Sequence, residues 1–66
     1  MNILANGTQT ELPAGATVSD LLATLGLGGQ WVVAERNGEP VPRADMATTS
    51  LAEGDRVELV RAVAGG

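Results

Sequence analysis

Polar and apolar residues alternate along several short stretches of the chain, and this period of two is typical of β-strands that bury one face. The pattern predicts four strands, at residues 2–6, 8–12, 31–36 and 56–62. Two Asn-Gly pairs, Asn6-Gly7 and Asn37-Gly38, lie at strand ends and are typical of two-residue hairpin turns. Because proline cannot donate to a strand ladder, any strand around Val41, between Pro40 and Pro42, should be short and lie at a sheet edge.

One segment has a helical period instead. Its apolar residues recur at i, i+3, i+4 and i+7, and they are Val18, Leu21, Leu22 and Leu25. This spacing predicts a short helix with one apolar face. Thr17 is suited to the N-cap, and Asp20 three residues later gives an imperfect capping box. Gly26 is suited to a left-handed cap at the other end. Since a helix this short is unstable alone, its apolar face should pack on the sheet.

The predicted order is strand, strand, helix and then two or three strands. This order suits a mixed sheet of four to five strands with one main helix packed across one face, an α+β fold of the β-grasp kind. Residues 43–50 have weak periodicity and should be mostly irregular, and residues 53–55 should form a turn. We expect one domain over residues 1–62 and a flexible tail over residues 63–66.

The strand period also predicts which apolar residues lie on the face without a helix. If Ile3, Val57 and Leu59 point toward the helix, then Leu4 and Val60 point the other way. These two residues are candidates for a face that docks a partner. The alternative is that they are ordinary exposed apolar residues, which are common on protein surfaces.

Composition narrows the chemistry that the chain can perform. Without cysteine or histidine, it has no thiol nucleophile, imidazole base or usual zinc ligand set, so we expect no catalytic residue, bound cofactor or metal. A net charge of −4 and a single aromatic residue, Trp31, argue against nucleic-acid binding and favour a protein partner with a basic face. We expect neither a signal peptide nor a membrane span, and we expect a cytoplasmic protein.

The chain ends with Val63, Ala64, Gly65 and Gly66. Two glycines without Cβ atoms make a segment thin enough to thread the active site of a partner. The α-carboxylate of Gly66 is then available for chemical activation. A diglycine also occurs by chance in a glycine-rich chain, so the residues before it must decide its meaning.

Those residues resemble the ThiS-type sulfur carriers of thiamine biosynthesis, which are ubiquitin-like β-grasp proteins. The resemblance rests on the following segments in this order: Met1-Asn2-Ile3, Asn6-Gly7, Thr17-Val18-Ser19-Asp20-Leu21-Leu22, Val33-Ala34-Glu35-Arg36-Asn37-Gly38-Glu39, Val41-Pro42-Arg43, Leu51-Ala52-Glu53-Gly54-Asp55-Arg56-Val57-Glu58 and Gly65-Gly66. The small subunit of molybdopterin synthase shares the fold and the diglycine, but it often has prolines where this chain has Arg61-Ala62. One departure from the ThiS pattern is Met46, where many ThiS-like sequences have an aromatic residue, and we expect this position to be structural.

The resemblance implies a carrier that is not itself an enzyme. A ThiF-like adenylating enzyme, using ATP and magnesium, would join AMP to the Gly66 carboxylate. A sulfur donor such as a cysteine desulfurase would supply sulfur to form a thiocarboxylate. Thiazole synthase, ThiG-like, would then accept the sulfur. We expect a monomer that meets these partners transiently.

Three alternatives remain open from the sequence. The chain could carry sulfur to another acceptor, such as molybdopterin, or it could be a ubiquitin-like modifier of lysines. It could also be a binding module with an incidental diglycine. Trp31 could be an interface hot spot or a core residue. Arg56 and Arg61 could pair with acidic residues of a partner or simply be solvated, and Arg43 could dock a partner or brace its loop. Asp20 and Glu53 are interpreted as helix-cap and turn residues.

Overall fold

Five strands and one α-helix are present in residues 1–28 and 31–61, which are the residues that the computed structural model describes. Their bounds are β1 at Asn2–Ala5, β2 at Thr8–Glu11, α1 at Val18–Thr24, β3 at Val32–Arg36, β4 at Glu39–Val41 and β5 at Arg56–Arg61. A single 3₁₀ turn, Arg43–Asp45, follows β4 in the described part of the chain. The predicted α+β architecture is confirmed, and each predicted strand agrees with an observed one to within one residue at either end.

The strands form one mixed sheet in the order β2-β1-β5-β3-β4. The last strand in sequence, β5, is therefore the central one. It is parallel to β1 and antiparallel to β3, while β1 and β2 form one hairpin and β3 and β4 form the other. The short strand β4 lies at an edge, as Pro40 and Pro42 on either side of Val41 predict.

Both hairpins turn at an Asn-Gly pair, as predicted. Asn6 and Gly7 have φ angles of 50° and 80°, and Asn37 and Gly38 have φ angles of 51° and 87°. Positive φ at both central residues is the geometry that lets a two-residue turn follow the twist of its strands. Asparagine tolerates this region better than most residues and glycine occupies it freely, which explains the choice of residues.

The helix begins with a complete capping box. The Thr17 hydroxyl accepts from the Asp20 N–H at 3.1 Å, and the Asp20 carboxylate accepts from the Thr17 N–H at 2.9 Å. The predicted box is thus fully formed even though an aspartate replaces the more usual glutamate. Two otherwise unpaired N–H groups at the start of the helix are satisfied in this way.

The predicted apolar stripe of the helix is wrong at Leu25, whose side chain is 40% exposed. The helix ends one residue earlier, and Gly26 adopts the predicted left-handed conformation at φ 74°. The N–H groups of Gly26 and Leu27 donate to the carbonyls of Ala23 and Leu22 at 3.1 and 2.7 Å, which is a Schellman cap. This reversal leaves Leu25 outside and packs Leu27 against the core.

The core lies between the helix and one face of the sheet. It contains Ile3, Ala5, Leu12, Ala16, Val18, Leu21, Leu22, Val32, Ala34, Met46, Leu51, Val57 and Leu59. The predicted facing of Ile3, Val57 and Leu59 toward the helix is confirmed. Met46 is buried, in agreement with the structural role expected at that position. Across the described residues, no helix is both long and apolar enough to span a lipid bilayer.

Candidate functional site

The residues predicted to react or to enter a partner, Val63, Ala64, Gly65 and Gly66, lie outside the described residues, as does Ala62 at the predicted domain boundary. The described structure ends at Arg61, the last residue of β5. The candidate site among the described residues is therefore β5, the strand that precedes the tail, together with the surfaces beside it.

The second half of β5 is held by the side chain of Asn6. Direct pairing between β1 and β5 covers two register pairs, Leu4 with Arg56 and Ala5 with Val57. Beyond them, the Asn6 amide nitrogen donates to the Leu59 carbonyl at 3.2 Å, and the Asn6 amide oxygen accepts from the Leu59 N–H at 2.7 Å. The primary amide thus takes the place of a strand residue after β1 has turned away.

The first residues of β5 are held by the other Asn-Gly turn. The Asn37 side-chain oxygen accepts from the Arg56 N–H at 2.9 Å, and the Asn37 N–H donates to the Arg56 carbonyl at 2.7 Å. The Asn37 amide nitrogen donates to the Asp55 carboxylate at 3.0 Å. The two asparagines, on opposite sides of β5, hold its beginning and its later part.

Asp55 is the buried acid among the described residues, with 7% of its surface exposed. Its carboxylate accepts from the Ala52 N–H at 2.8 Å and from Arg36 Nε at 2.8 Å, in addition to the Asn37 amide. Burial alone would raise the pKa of Asp55. The hydrogen bonds from Ala52, Asn37 and Arg36, together with the Arg36 charge, outweigh burial and lower its pKa below the usual value.

The sequence predicted the turns at Asn6, Asn37 and Asp55 but missed the roles of their side chains. A turn signature depends on backbone conformation, so it identifies neighbours along the chain and not a hydrogen-bond partner 53 residues away, such as Leu59. The ionic contact of Asp55 with Arg36 also joins residues far apart in sequence, at a separation of 19. No local signal in the sequence points to these contacts.

The predicted partner face is exposed, but its two residues do not adjoin. Leu4 and Val60 are 39% and 64% exposed on the sheet face away from the helix. Leu4 lies opposite Arg56, and Val60 lies four residues further along β5, about 13 Å away at the rise of a strand. The direct neighbour of Val60 is Val33 on β3, which is 54% exposed. Strand alternation from Val32 and Ala34 could have identified Val33.

Trp31 is 62% exposed, so the alternative that placed it in the core is wrong. The guanidinium carbon of Arg43 lies 4.1 Å from the centre of its ring, in a cation–π contact. Since Val32 pairs with Arg61, Trp31 lies at the end of the sheet where the described chain stops. Its role as an interface residue stays a prediction.

The remaining charged candidates have mainly structural contacts or none. Asp20 caps the helix, and Glu53 lies in a turn and accepts from the Asn2 N–H at 2.9 Å, which confirms their interpretation as helix-cap and turn residues. Arg56 and Arg61 are exposed. Among the described residues, no group of three or more possible ligand side chains could hold a metal ion. The described residues thus form a central strand that is held on both sides by asparagine side chains and ends at Arg61.

The ThiS family model matches residues 2–66, which is almost the whole chain and includes the diglycine. The crystal structure of the thiamine biosynthesis protein ThiS from Geobacter metallireducens is similar, with a TM-score of 0.83 and 30% identity over 100% of both chains. A solution structure of a thiamine biosynthesis protein from the same organism gives a TM-score of 0.77 at 30% identity and covers 100% of this chain and 88% of the other.

A curated thiazole synthase from Paramagnetospirillum magneticum is 36% identical over 66 residues, covering 100% of this chain. This chain spans 20% of the length of that relative. SAMP1 from Haloferax volcanii, at 21% identity over 98% of this chain and 97% of the other, has a TM-score of 0.64 and shows a shared fold alone. The family match and the ThiS structures confirm the resemblance read from the sequence: the chain belongs to the ThiS family and has the ubiquitin-like β-grasp fold.

Proposed function

We propose that the chain carries sulfur for thiazole formation on its Gly66 carboxylate. An α-carboxyl group is ionised at neutral pH, and its oxygen can attack the α-phosphorus of ATP and release pyrophosphate. A persulfide sulfur then displaces AMP from the acyl-adenylate. Cleavage of the sulfur–sulfur bond by a second thiol leaves a thiocarboxylate. The match of the ThiS family model through residue 66 is the observation that carries this proposal.

The structure of β5 supports the proposal. A carrier must present a short tail from a fixed base, because each residue of slack spreads the reactive group over a larger volume. The base here is the central strand, held by Asn37 at Arg56 and by Asn6 at Leu59. The described structure ends at Arg61, two positions after Leu59.

The proposal requires three partners. A ThiF-like adenylating enzyme would supply ATP and magnesium, so the carrier itself would need no bound cofactor. A cysteine desulfurase is the proposed source of the persulfide, and thiazole synthase the proposed acceptor. A thiazole synthase that includes a segment similar to this whole chain supports the link to that acceptor.

In this proposal the chain is a protein cosubstrate and not an enzyme, and it acts as a monomer in the cytoplasm, where ATP and reduced thiols are available. Transfer to molybdopterin is less well supported, because the family match and the structures of similar sequence are of the ThiS type. A lysine modifier would use the same activation but yield an isopeptide conjugate. The product therefore separates these functions.

Two tail variants test the proposal. Deletion of Gly66 shortens the tail by one residue, so that the terminal carboxylate no longer lies at the proposed position. Gly65→Val adds a branched side chain where the tail would enter the adenylating enzyme. We expect both variants to lose ATP–pyrophosphate exchange with a ThiF-like enzyme while their thermal unfolding stays unchanged. Gly28→Ala is a matched control, because a Cβ there meets its nearest atom at 3.8 Å, an ordinary contact. Exchange at the parent rate after deletion of Gly66 would contradict the proposal.

A further inference from the structure

Two neighbouring rows of side chains cross from β5 to β3 on the sheet face away from the helix. The first row is the exposed apolar pair Val60 and Val33, and the second is Glu58 directly opposite Glu35. Both glutamates are exposed. The apolar row lies one residue before Arg61, so it borders the end of β5 from which the tail continues.

Glu35 and Glu58 form a like-charge pair. Side chains directly opposite on adjacent strands have Cβ atoms about 4.5–5.5 Å apart, and like charges at this separation destabilise the sheet. The ion pair in the described part of the chain joins Arg36 to Asp55. Residues outside the described ranges include no arginine or lysine, so they cannot neutralise the two glutamates.

The basic residue nearest in sequence on this face does not relieve the pair. Arg56 is two residues before Glu58 and lies opposite Leu4 on β1. Its guanidinium is not within ion-pairing distance of a carboxylate in the described structure. The free protein thus holds two adjacent carboxylates, uncompensated, beside an exposed apolar pair.

We infer that this face, formed by Val33, Glu35, Glu58 and Val60, docks the adenylating enzyme through an arginine that lies between the two carboxylates and an apolar side chain that covers the valines. The inference rests on the proposed function, since it names the surface by which that partner holds the carrier. A guanidinium presents several donors in one plane and can bridge two carboxylates, whereas an ammonium acts as a point charge. Because the face has two carboxylates, charge complementarity favours a partner surface with an arginine over a purely apolar surface.

Removal of the two charges should change the stability of the carrier and its affinity for the enzyme in opposite directions. Removing the two charges should stabilise the free carrier, because it removes repulsion between neighbouring strands. The same change should weaken docking, because the arginine of the partner loses both of its acceptors. A role in the fold alone would move stability and affinity in the same direction.

The test uses Glu35→Gln/Glu58→Gln in the full chain, with Glu11→Gln/Glu39→Gln as a control of equal net charge. Glu11 lies on β2 and Glu39 on β4, outside the two rows. Binding to a ThiF-like enzyme that adenylates the parent chain is measured by calorimetry at several salt concentrations. We expect about tenfold weaker binding and a smaller salt dependence for the first variant than for the control. We also expect its melting temperature to rise by roughly 2–4 °C.

Each other outcome overturns the inference. Unchanged affinity would show that the glutamates do not contact the enzyme, and equal losses in both variants would show an effect of net charge alone. A fall in melting temperature together with the loss of affinity would show that the change acts through the fold. If ThiF-like enzymes neither bind nor adenylate the parent chain, the proposed function fails and the inference fails with it. Adenylation of the parent with unchanged affinity of the variant rejects the inference alone.

Discussion

The side-chain amide of Asn6 pairs with both backbone groups of Leu59, accepting from its N–H at 2.7 Å and donating to its carbonyl at 3.2 Å. Asn6 is also the first residue of a turn with positive φ. One residue therefore reverses the first hairpin and extends the pairing of the central strand. The same contact therefore holds the strand from which, in the proposed function, the tail is presented.

Asn6→Gly tests this contact, because glycine keeps the positive φ while losing both side-chain hydrogen bonds. We expect the free energy of unfolding to fall by about 1–2 kcal/mol and the Leu59 amide to exchange faster with solvent. Asn37→Gly is the matched control from the other turn. It should speed exchange of the Arg56 amide, to which Asn37 is bonded, and leave Leu59 protected. Identical exchange changes in both variants would contradict separate roles for the two asparagines.

Asp55 should make stability depend on pH in the acid range. Burial raises its pKa, but the hydrogen bonds and the Arg36 charge together lower it below 3.8. The folded state thus binds this proton less readily than the unfolded state. The stabilisation is complete above the unfolded-state value and is lost as the pH falls through the lower folded-state value.

Asp55→Asn should reduce the free energy of unfolding at pH 7 by about 1–3 kcal/mol, because it removes the charge that Arg36 binds. The variant should also show a smaller loss of stability between neutral pH and pH 2. Urea unfolding at several pH values measures both effects. Asp45→Asn, on the exposed 3₁₀ turn, is the control. A pH profile of Asp55→Asn that parallels the parent would contradict the role assigned to Asp55.

The end of the helix gives a third stability test. Leu21 is fully buried and Leu25 is 40% exposed, so the same substitution should have unequal effects. We expect Leu21→Ala to cost about 2–5 kcal/mol, which is comparable to the whole stability of a domain this small. Leu25→Ala should cost less than about 1 kcal/mol. Equal losses by thermal unfolding would mean that Leu25 belongs to the core as the helical period predicts.

Local patterns in the sequence predicted most of this fold. The period of two in the strands and the Asn-Gly turns are set by local sterics, so they can be read from the chain directly. The period of 3.6 failed at Leu25 because Gly26 reverses the backbone there, and Leu27 packs on the core instead. A spacing rule describes a continuing helix and cannot say which apolar residue a Schellman cap turns inward.

The candidate site was less predictable, because it depends on which strands become neighbours. Val33 was missed as the partner of Val60 since that pairing joins β3 to β5. The opposition of Glu35 and Glu58 has the same origin. The proposed role of the tail, in contrast, rests on the diglycine and on the resemblance to the ThiS family, which require no knowledge of strand order.

Charged substitutions at Val60 and Leu4 test which end of the sheet face away from the helix contacts the adenylating enzyme. Val60→Asp should weaken binding to the adenylating enzyme without unfolding the domain, because Val60 is exposed and lies next to Arg61 at the end of β5. Leu4→Asp should have a smaller effect, since Leu4 lies opposite the beginning of that strand. Calorimetry gives the affinities, and circular dichroism confirms the fold. Parent affinity in both variants would remove this face from the docking surface.

The central claim is that Gly66 carries sulfur. The most direct measurement is the intact mass of the chain after incubation with ATP, magnesium, a ThiF-like enzyme and a persulfide donor. We predict a gain equal to the replacement of one oxygen by sulfur, located at Gly66 by fragmentation and absent when ATP is omitted. An unchanged mass, with the same enzyme shown to be active on another carrier, would contradict the account.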